Sequence, residues 1–193
     1  MDKIVIIGSS GAGKSTLARE LGSILKIKVF HLDRLFWQRG WEGKTRDTRI
    51  DILQEIIREK QWIIEGNYLG ASELHLNAAD IIIFLDIAPL LCLWRLMKRH
   101  REYYGRSRPD IPEGCTDRLI RLRILKVLAF PLGGRRTIKQ KLRNYKSEQI
   151  IRLRSRKEVK DFLAQLEQGA DNKRNTSSTV PVAIESLLVA TAQ

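Results

Sequence analysis

The sequence predicts an α/β fold, a doubly wound parallel sheet with helices on both faces. Short runs of consecutive apolar residues recur along the chain, and segments with amphipathic helical periodicity separate them. Near-continuous apolar runs are typical of parallel strands, because helices cover both faces of such a sheet. The alternation of strand and helix is typical of a doubly wound sheet. A length of 193 residues suits one such domain.

Five apolar runs give the predicted strands, which cover residues 4–7, 29–32, 62–64, 81–85 and 149–153. The helices after the first strand and before the third each carry their apolar side chains on one face. These two faces consist of Leu17, Leu21, Ile24 and Leu25, and of Ile50, Leu53, Ile56 and Ile57.

The chain beyond the fourth strand becomes helical. Pro89 stands where a proline can open a helix. The predicted apolar stripe of that helix is Leu90, Leu93, Trp94 and Met97. Residues 103–114 contain Gly, Ser and Pro, a composition that predicts a mobile loop. Helical patterns return at 116–129 and 135–146, separated by the letters FPLGG, and a closing helix covers 158–166.

These patterns predict one domain over residues 1–167, with a small helical lid at about 100–130. Residues 168–193 read as a disordered tail, because polar and small residues dominate 169–180. No apolar run reaches the roughly 18 to 20 residues that cross a bilayer, so we expect a soluble protein without a membrane partner. Cys92 and Cys115 lack a CxxC partner, which predicts no disulfide framework and fits a cytoplasmic location.

The positive charge is concentrated in one part of the chain. The net charge is +13, and residues 95–160 contain 21 Lys and Arg against 6 Asp and Glu. Such a segment attracts polyanions, which include nucleic acids, anionic membranes and small phosphorylated ligands. Composition alone does not choose among these partners.

The letters GSSGAGKS, residues 8–15, satisfy the pattern GxxxxGK[ST] between a strand and an amphipathic helix. This P-loop pattern predicts a nucleotide site, because its glycines let backbone N–H groups face phosphates at a helix N-terminus. We expect Lys14 to reach the β- and γ-phosphates of ATP and Ser15 to offer its hydroxyl to Mg²⁺. The predicted binding residues are Gly8, Ser9, Gly11, Ala12, Gly13, Lys14, Ser15 and Thr16.

Three acidic residues end apolar runs and are candidates for the metal or the acceptor. They are Asp33, Glu65 and Asp86. The carboxyl ends of parallel strands meet at one sheet edge, so all three should converge on the P-loop. A strand end can also carry a merely solvated acid.

Arginines after Asp86 form a second candidate group. Arg95 and Arg99 are four residues apart and share a helix face, and Arg106, Arg108, Arg118, Arg121 and Arg123 follow. Guanidinium groups that close on a triphosphate would offset charge on the transferring phosphoryl group. The alternative is a solvated basic helix.

Five stretches together resemble the DNA topology modulation protein (FlaR-type) family, which is itself similar to adenylate and shikimate kinases. These stretches are IIGSSGAGKSTLARELG, HLDRLFWQRGW, WIIEGNY, IIIFLDIAPLLCLWRLMKR and RSRPDIPEGC. The resemblance extends from residue 1 to about 166. It implies a P-loop NTPase with a five-stranded parallel sheet in the order 2-3-1-4-5 and a small lid between strands 4 and 5.

The resemblance also implies roles for single residues. Asp33 contacts the acceptor hydroxyl and can serve as its base, and Glu65 holds Mg²⁺ through water. Asp86 becomes structural and fixes the helix that starts nearby. Arg95 stacks on the nucleotide base and Arg99 reaches phosphate. Lys14, Asp33, Glu65 and Arg99 are therefore the predicted catalytic residues, and Ser15 and Glu65 the predicted metal residues.

Further side chains near Asp33 and Glu65 are open to two interpretations. His31 lies two residues before Asp33, on the same side of an extended strand, where it is either a structural histidine or part of the site. The aromatic residues are Phe36, Trp37, Trp41 and Tyr68. They form either an aromatic wall for a base or sugar or ordinary helix packing.

Three functions remain open at this point. The first is an ATP-dependent phosphotransferase that acts on an unidentified small acceptor, such as a nucleoside or nucleotide, by in-line transfer. The second is a nucleotide-dependent DNA-binding protein, which the basic segment would serve although no helix-turn-helix or zinc motif is present. The third is a plain ATPase whose acceptor is water.

Overall fold

The computed structural model describes residues 2–68, 73–103 and 120–174. Their centre is a five-stranded parallel sheet, as the sequence predicts. Its strands are β1 (Lys3–Gly8), β2 (Val29–His31), β5 (Trp62–Glu65), β6 (Ile81–Leu85) and β7 (Ile150–Leu153). The spatial order is β2-β5-β1-β6-β7. This is the implied order 2-3-1-4-5 when only the strands of this sheet are counted.

A two-stranded antiparallel hairpin, β3 (Trp37–Gln38) and β4 (Glu42–Gly43), stands apart from the sheet. No pattern in the sequence predicts this hairpin. A single 3₁₀ turn (Arg39–Trp41) joins its strands, and Gly40 and Trp41 adopt positive φ of 79° and 64°. These two-residue strands are too short to show an alternation of apolar and polar residues, so the sequence pattern cannot predict them.

Eight helices connect the strands of the described residues. They are α1 (Lys14–Leu25), α2 (Leu32–Phe36), α3 (Arg46–Ile57), α4 (Leu74–Asn77), α5 (Pro89–Glu102), α6 (Ile120–Ala129), α7 (Gly134–Leu142) and α8 (Arg156–Arg174). Thr45 caps α3 by accepting a hydrogen bond from the Thr48 N–H. Pro89 begins α5, as predicted.

Two apolar layers enclose the sheet. Ile4 and Ile6 of β1 face the layer that contains α1, α5 and α8, whereas Val5 and Ile7 face the layer that contains α2, α3 and α7. All four side chains are at most 1% exposed. Burial on both faces explains why the central strands β1 and β6 appear in the sequence as nearly unbroken apolar runs.

The face that α5 buries differs from the predicted apolar stripe. Cys92 and Leu96 are buried, whereas Leu90, Trp94 and Met97 are more than half exposed. The Cys92 backbone packs directly against the loop before α1, so this loop determines which face turns inward. Arg95 lies three residues after Cys92 and Arg99 three residues after Leu96, so both arginines share the inward face.

The last helices also differ from prediction at their ends. The helix predicted at 135–146 ends at Leu142, and the predicted closing helix continues to Arg174. Residues 169–174 of the predicted disordered linker are therefore helical. The letters DNKR at 171–174 hold no proline or glycine that would stop a helix.

The predicted loop at 103–114, most of the predicted lid and the tail after 174 lie outside the described residues. Within the described residues, no helix is long and apolar enough to cross a membrane.

Candidate nucleotide and acceptor site

The loop between β1 and α1 has a backbone that requires glycine. Gly13 caps α1 with a φ of 103°, and Gly11 has a φ of 79°. A Cβ on Gly11 would lie 2.3 Å from the Cys92 carbonyl oxygen of α5. Both positions therefore exclude other residues, on backbone conformation and at Gly11 also on space. The loop leaves the first N–H groups of α1 without helical partners, which is the property that phosphate oxygens exploit.

Cationic side chains hold the carbonyl groups of the same loop. The Lys14 Nζ donates to the Ser9 carbonyl oxygen at 3.1 Å, and the Arg95 Nη1 donates to the Ala12 carbonyl oxygen at 3.0 Å. Ser9 and Ala12 are each 2% exposed. With the carbonyls engaged in this way, the loop presents its positive groups to the space in front of it.

That space is a cleft of about 550 Å³. Its lining brings the P-loop together with Asp33, Glu65, Arg95 and Arg99, as the sequence predicts. The lining residues are Ser10, Gly11, Gly13, Lys14, Ser15, Thr16, Arg19, Asp33, Glu65, Arg95, Arg99, Glu102, Tyr103 and Arg123. The five cations among them suit a polyanionic ligand. Of the predicted loop residues, Gly8, Ser9 and Ala12 are not among these lining residues.

Glu65 is an ionised carboxylate at the inner end of this cleft. It is the last residue of β5 and only 4% exposed. Its Oε1 accepts hydrogen bonds from the Ser15 hydroxyl at 3.0 Å and, at 3.1 Å, lies against the His31 Nδ1. Burial alone would raise the pKa of Glu65. The His31 hydrogen bond, the Lys14 charge and the Ser15 hydrogen bond outweigh it and lower the pKa.

The pair Ser15 and Glu65 fits the metal that the sequence predicts. A hydroxyl oxygen and an ionised carboxylate lie within hydrogen-bond distance of each other, and hard oxygen donors of this kind suit Mg²⁺. Lys14 stands one residue before Ser15, where α1 begins. The donor set and the cationic cleft are therefore consistent with ATP and Mg²⁺.

Asp33 lines the cleft but does not end a strand, contrary to the sequence analysis. β2 stops at His31, and Asp33 lies in the short helix α2. The prediction that His31 and Asp33 lie on one side of an extended strand is therefore wrong. Instead His31 contacts Glu65, and Asp33 Oδ1 accepts a hydrogen bond from the Tyr68 hydroxyl at 2.8 Å.

The aromatic residues near Asp33 stand behind it. Phe36 is buried and meets the Tyr68 ring edge-on at 4.7 Å between centroids, and Trp37 meets Trp41 at 5.8 Å. The Arg49 guanidinium lies within 6 Å of the rings of Phe36, Trp37 and Tyr68. Among the described residues, none of these aromatics lines the cleft. Of these rings, Tyr68 contacts Asp33 directly, packs against Phe36 and accepts a hydrogen bond from Trp37.

Asp86 lies outside the cleft, so the predicted convergence of three acids on the P-loop is wrong. Its carboxylate is held by Arg135 of α7, at 2.7 Å from Nε, and by Arg152 of β7, at 2.9 Å from Nε. Burial would raise its pKa, but these two guanidinium groups lower it. The implied structural role fits this arrangement, with different partners. Asp86 joins α7 and β7, whereas α5 begins after Ala88 without a side-chain cap.

Asn67 is the contact that sequence reasoning missed. Its side-chain oxygen accepts from the Gly8 N–H at 2.8 Å and its amide nitrogen donates to the Gly8 carbonyl at 2.5 Å. The segment from Glu65 to Tyr68 thus contacts Ser15, Gly8 and Asp33 in turn. The letters EGNY belonged to the motif that carried the resemblance, but nothing in one sequence assigned a role to the asparagine.

The arginine group divides between the cleft and its surroundings. Arg95, Arg99 and Arg123 line the cleft, and the Arg123 guanidinium also lies 4.8 Å from the Trp41 ring centre. Arg106, Arg108 and Arg118 lie outside the described residues, as does the side chain of Arg121. Arg19, Glu102 and Tyr103 line the cleft without having been predicted. Arg19 lies only four residues after Ser15 in α1, whereas Glu102 and Tyr103 are far from the P-loop in the sequence, and no motif singled out any of the three.

Solved structures share this fold. A shikimate kinase from Bacteroides thetaiotaomicron aligns with 88% of this chain and 98% of its own, at 18% identity and a TM-score of 0.51. A shikimate kinase from Acinetobacter baumannii, in complex with shikimate, aligns with 92% of this chain and 96% of its own, at 16% identity and a TM-score of 0.54. No protein-family model matches the sequence, and no curated protein is significantly similar to it. The chain therefore has the fold of the P-loop kinases, and this similarity establishes the fold alone.

Proposed function

We propose that this protein is an ATP-dependent kinase that transfers the γ-phosphoryl group to a hydroxyl of a small acceptor. The observation that carries the proposal is the joint position of Lys14, Glu65 and Asp33 on one cationic cleft. The kinase fold supports it, and so does the resemblance to the FlaR-type family, because that family is similar to adenylate and shikimate kinases. Cations, a metal ligand and a candidate base are the parts that phosphoryl transfer requires.

The donor half of the cleft would bind ATP·Mg²⁺. Lys14, Arg95 and Arg99 supply positive charge to the phosphates, and Ser15 and Glu65 supply oxygen donors for the metal. When bound, Mg²⁺ offsets charge that develops on the phosphoryl oxygens. Arg123 and Tyr103 lie on the same cleft, where they can exclude water from the transferring group.

The acceptor half would orient a hydroxyl group. Tyr68 occupies one oxygen of Asp33, and the carboxylate retains lone pairs on the other for an acceptor proton. Asp33 can then accept that proton as the hydroxyl attacks. An anionic acceptor oxygen would instead be repelled by Asp33 and Glu65, which line the same space. A neutral hydroxyl fits this arrangement better than a phosphate oxygen.

The test measures transfer of label from γ-labelled ATP·Mg²⁺ to a panel of nucleosides, sugars and hydroxy acids. Inorganic phosphate released to water is counted in the same reactions. Lys14→Ala should abolish ATP binding or transfer. Asp33→Asn should leave ATP binding intact and stop transfer, whereas Asp51→Asn on the exposed side of α3 serves as its control. Intact ATP binding without any phosphorylated product would refute the proposal.

Neither alternative function gains a supporting contact among the described residues. Several cations of the basic segment have internal partners: Arg95 binds the P-loop, Arg135 and Arg152 bind Asp86, and Lys141 pairs with Glu73. Their charge is therefore partly used inside the molecule. A plain ATPase would release phosphate at a rate that no member of the acceptor panel changes.

A further inference from the structure

We infer that Tyr68 is a positioning residue that orients Asp33, and that Trp37 fixes the direction in which the Tyr68 hydroxyl donates. This inference rests on the proposed function, because it assigns Asp33 the task of receiving the acceptor proton. It adds two residues that act on the reaction through Asp33. Asp33 lines the cleft, whereas Tyr68 and Trp37 are absent from the described lining residues.

The direction of the hydrogen bonds follows from the chemistry of the three groups. The Trp37 indole Nε1 carries a hydrogen and can only donate, and its contact is the Tyr68 hydroxyl oxygen. That oxygen is therefore the acceptor from Trp37, which leaves the Tyr68 hydrogen for Asp33. The Asp33 Oδ1 accepts it at 2.8 Å. Trp37, Tyr68 and Asp33 thus form a chain with a single polarity.

The Tyr68 ring is held on several sides, so the chain has a fixed geometry. Phe36 packs edge-on against it at 4.7 Å, and the Arg49 guanidinium lies 5.9 Å from its centre. The preceding residue, Asn67, forms two hydrogen bonds with the backbone of Gly8 in the P-loop. Tyr68 therefore directly follows a residue whose side chain contacts the P-loop backbone.

Tyr68 remains a proton donor throughout the working pH range. Burial and the neighbouring Asp33 charge both raise the pKa of its phenol. A phenol that stays protonated cannot act as the base, so its role is to donate. By holding Asp33 Oδ1 it restricts rotation of the carboxylate and leaves Oδ2 for the acceptor hydroxyl. Positioning of this kind lowers the barrier of the chemical step and leaves ATP binding unchanged.

The test compares Tyr68→Phe with wild type in the labelled-ATP assay, using adenosine, shikimate and water as acceptors. Phenylalanine keeps the packing on Phe36 and removes only the hydroxyl. We expect kcat to fall about tenfold, the effect of losing one hydrogen bond to a charged group. The KM for ATP should not change. Tyr145→Phe removes a hydroxyl that donates to Asn77 away from the cleft, and it should leave kcat unchanged.

A second variant tests the polarity of the chain. Trp37→Phe removes the donor to Tyr68, so the hydroxyl loses its fixed direction, and kcat should fall by roughly threefold, the weaker loss of a neutral donor. Because Trp37 acts only through Tyr68, the double variant Trp37→Phe/Tyr68→Phe should have the kcat of Tyr68→Phe alone. If the two substitutions instead acted independently through packing, their fold-reductions in kcat would multiply in the double variant.

Urea unfolding tests the Tyr68–Asp33 bond without any acceptor. If the bond exists, the destabilisation of Tyr68→Phe/Asp33→Asn differs from the sum of the single effects. A wild-type kcat in Tyr68→Phe, together with an inactive Asp33→Asn, would overturn the inference and spare the proposed function. A wild-type kcat in Asp33→Asn would overturn the proposed function itself.

Discussion

Glu65 ends strand β5 and Asp86 directly follows strand β6, and these two strands flank β1 on its two sides. Both carboxylates are almost fully buried, at 4% and 7% exposed, and both have a lowered pKa. Their partners differ. Glu65 meets a hydroxyl and a histidine beside the P-loop lysine, whereas two guanidinium groups from α7 and β7 surround Asp86.

This difference teaches that burial and a lowered pKa do not identify a catalytic acid. The partners of Asp86 are structural cations that use its charge completely. Glu65 itself lines the cleft, and its partner Ser15 lines it too and offers a hydroxyl oxygen beside the carboxylate. Substitution of Asp86 should therefore reduce mainly stability, whereas substitution of Glu65 should reduce mainly activity.

Asp86→Asn should give the largest effect, and it should be an effect on stability. Removing the carboxylate leaves Arg135 and Arg152 facing each other without a counter-charge. Breaking such a pair costs about 3 kcal/mol of unfolding free energy. Urea unfolding measures this loss, and turnover per folded molecule should stay at the wild-type value. A catalytic defect in the folded fraction would contradict the structural role.

Acid pH should act first on a third buried group, His75. Its side chain is fully buried, neither ring nitrogen has a hydrogen-bond partner among the described residues, and burial lowers its pKa to about 4. Because the exposed imidazole titrates near about pH 6.5, the unfolded chain gains a proton before the folded chain does. Stability should therefore fall by about 3 kcal/mol as the pH drops from about 6.5 to about 4.

The variant His75→Leu isolates this effect. Leucine does not titrate, so urea unfolding of the variant should change little over the same interval. Glu65 and Asp86 have lowered pKa values and contribute their own loss of stability only below about pH 4, where the carboxylates of the unfolded chain take up protons. If the unfolding free energies of the wild type and His75→Leu fell in parallel between about pH 6.5 and 4, another group would be responsible for the acid destabilisation.

Glu65→Gln should change activity more than stability. The amide keeps the shape of the side chain and can still contact Ser15 and His31, but it carries no charge for a metal. Loss of a group that holds a metal through water costs about 10- to 100-fold in activity or metal affinity. Turnover measured over a range of Mg²⁺ concentrations checks this, with Glu59→Gln at the protein surface as control. Unchanged Mg²⁺ dependence would contradict the role of Glu65.

The sequence was sufficient for the features that depend on local patterns. Short, mainly apolar runs located all five sheet strands, and the glycine spacing located the P-loop, because each constraint acts within a few residues. The contacts made by Asp33, Asp86 and Asn67 depend on chain segments that meet only in the folded state. Arg135 and Arg152 are 49 and 66 residues from Asp86. No local pattern specifies such a partner.

The same limit explains the error on α5. The helical period correctly placed an amphipathic helix after Pro89, but two faces of it carry apolar residues. Cys92 is small and soft, and it turns inward because the P-loop backbone approaches it closely at Gly11. The larger side chains of Trp94 and Met97 remain outside. Hydrophobicity alone favoured the larger residues, whereas the available space favoured the smaller one.

Asn67→Ala should give the smallest of the four effects, and it should affect the donor half of the cleft. The asparagine is exposed and binds both the N–H and the carbonyl of Gly8. Without the asparagine, the Gly8 backbone at the start of the P-loop loses both side-chain hydrogen bonds. The loop then samples more conformations before it binds phosphates. The cost is about 1 kcal/mol, the net value of such hydrogen bonds, so the Kd for ATP should rise about fivefold.

Calorimetric titration with ATP·Mg²⁺ measures this change, and Asn67→Asp refines it. Aspartate retains the acceptor for the Gly8 N–H but places a negative oxygen against the Gly8 carbonyl, where the amide donated. Its Kd for ATP should therefore rise at least as much as that of Asn67→Ala. Neither variant should alter the transfer rate at saturating ATP, because Asn67 touches the loop backbone and neither Asp33 nor Glu65. A fall in kcat at saturating ATP would contradict this expectation. It would mean that the loss of the Gly8 contact acts through Tyr68 on Asp33, and that the donor and acceptor halves of the cleft are coupled.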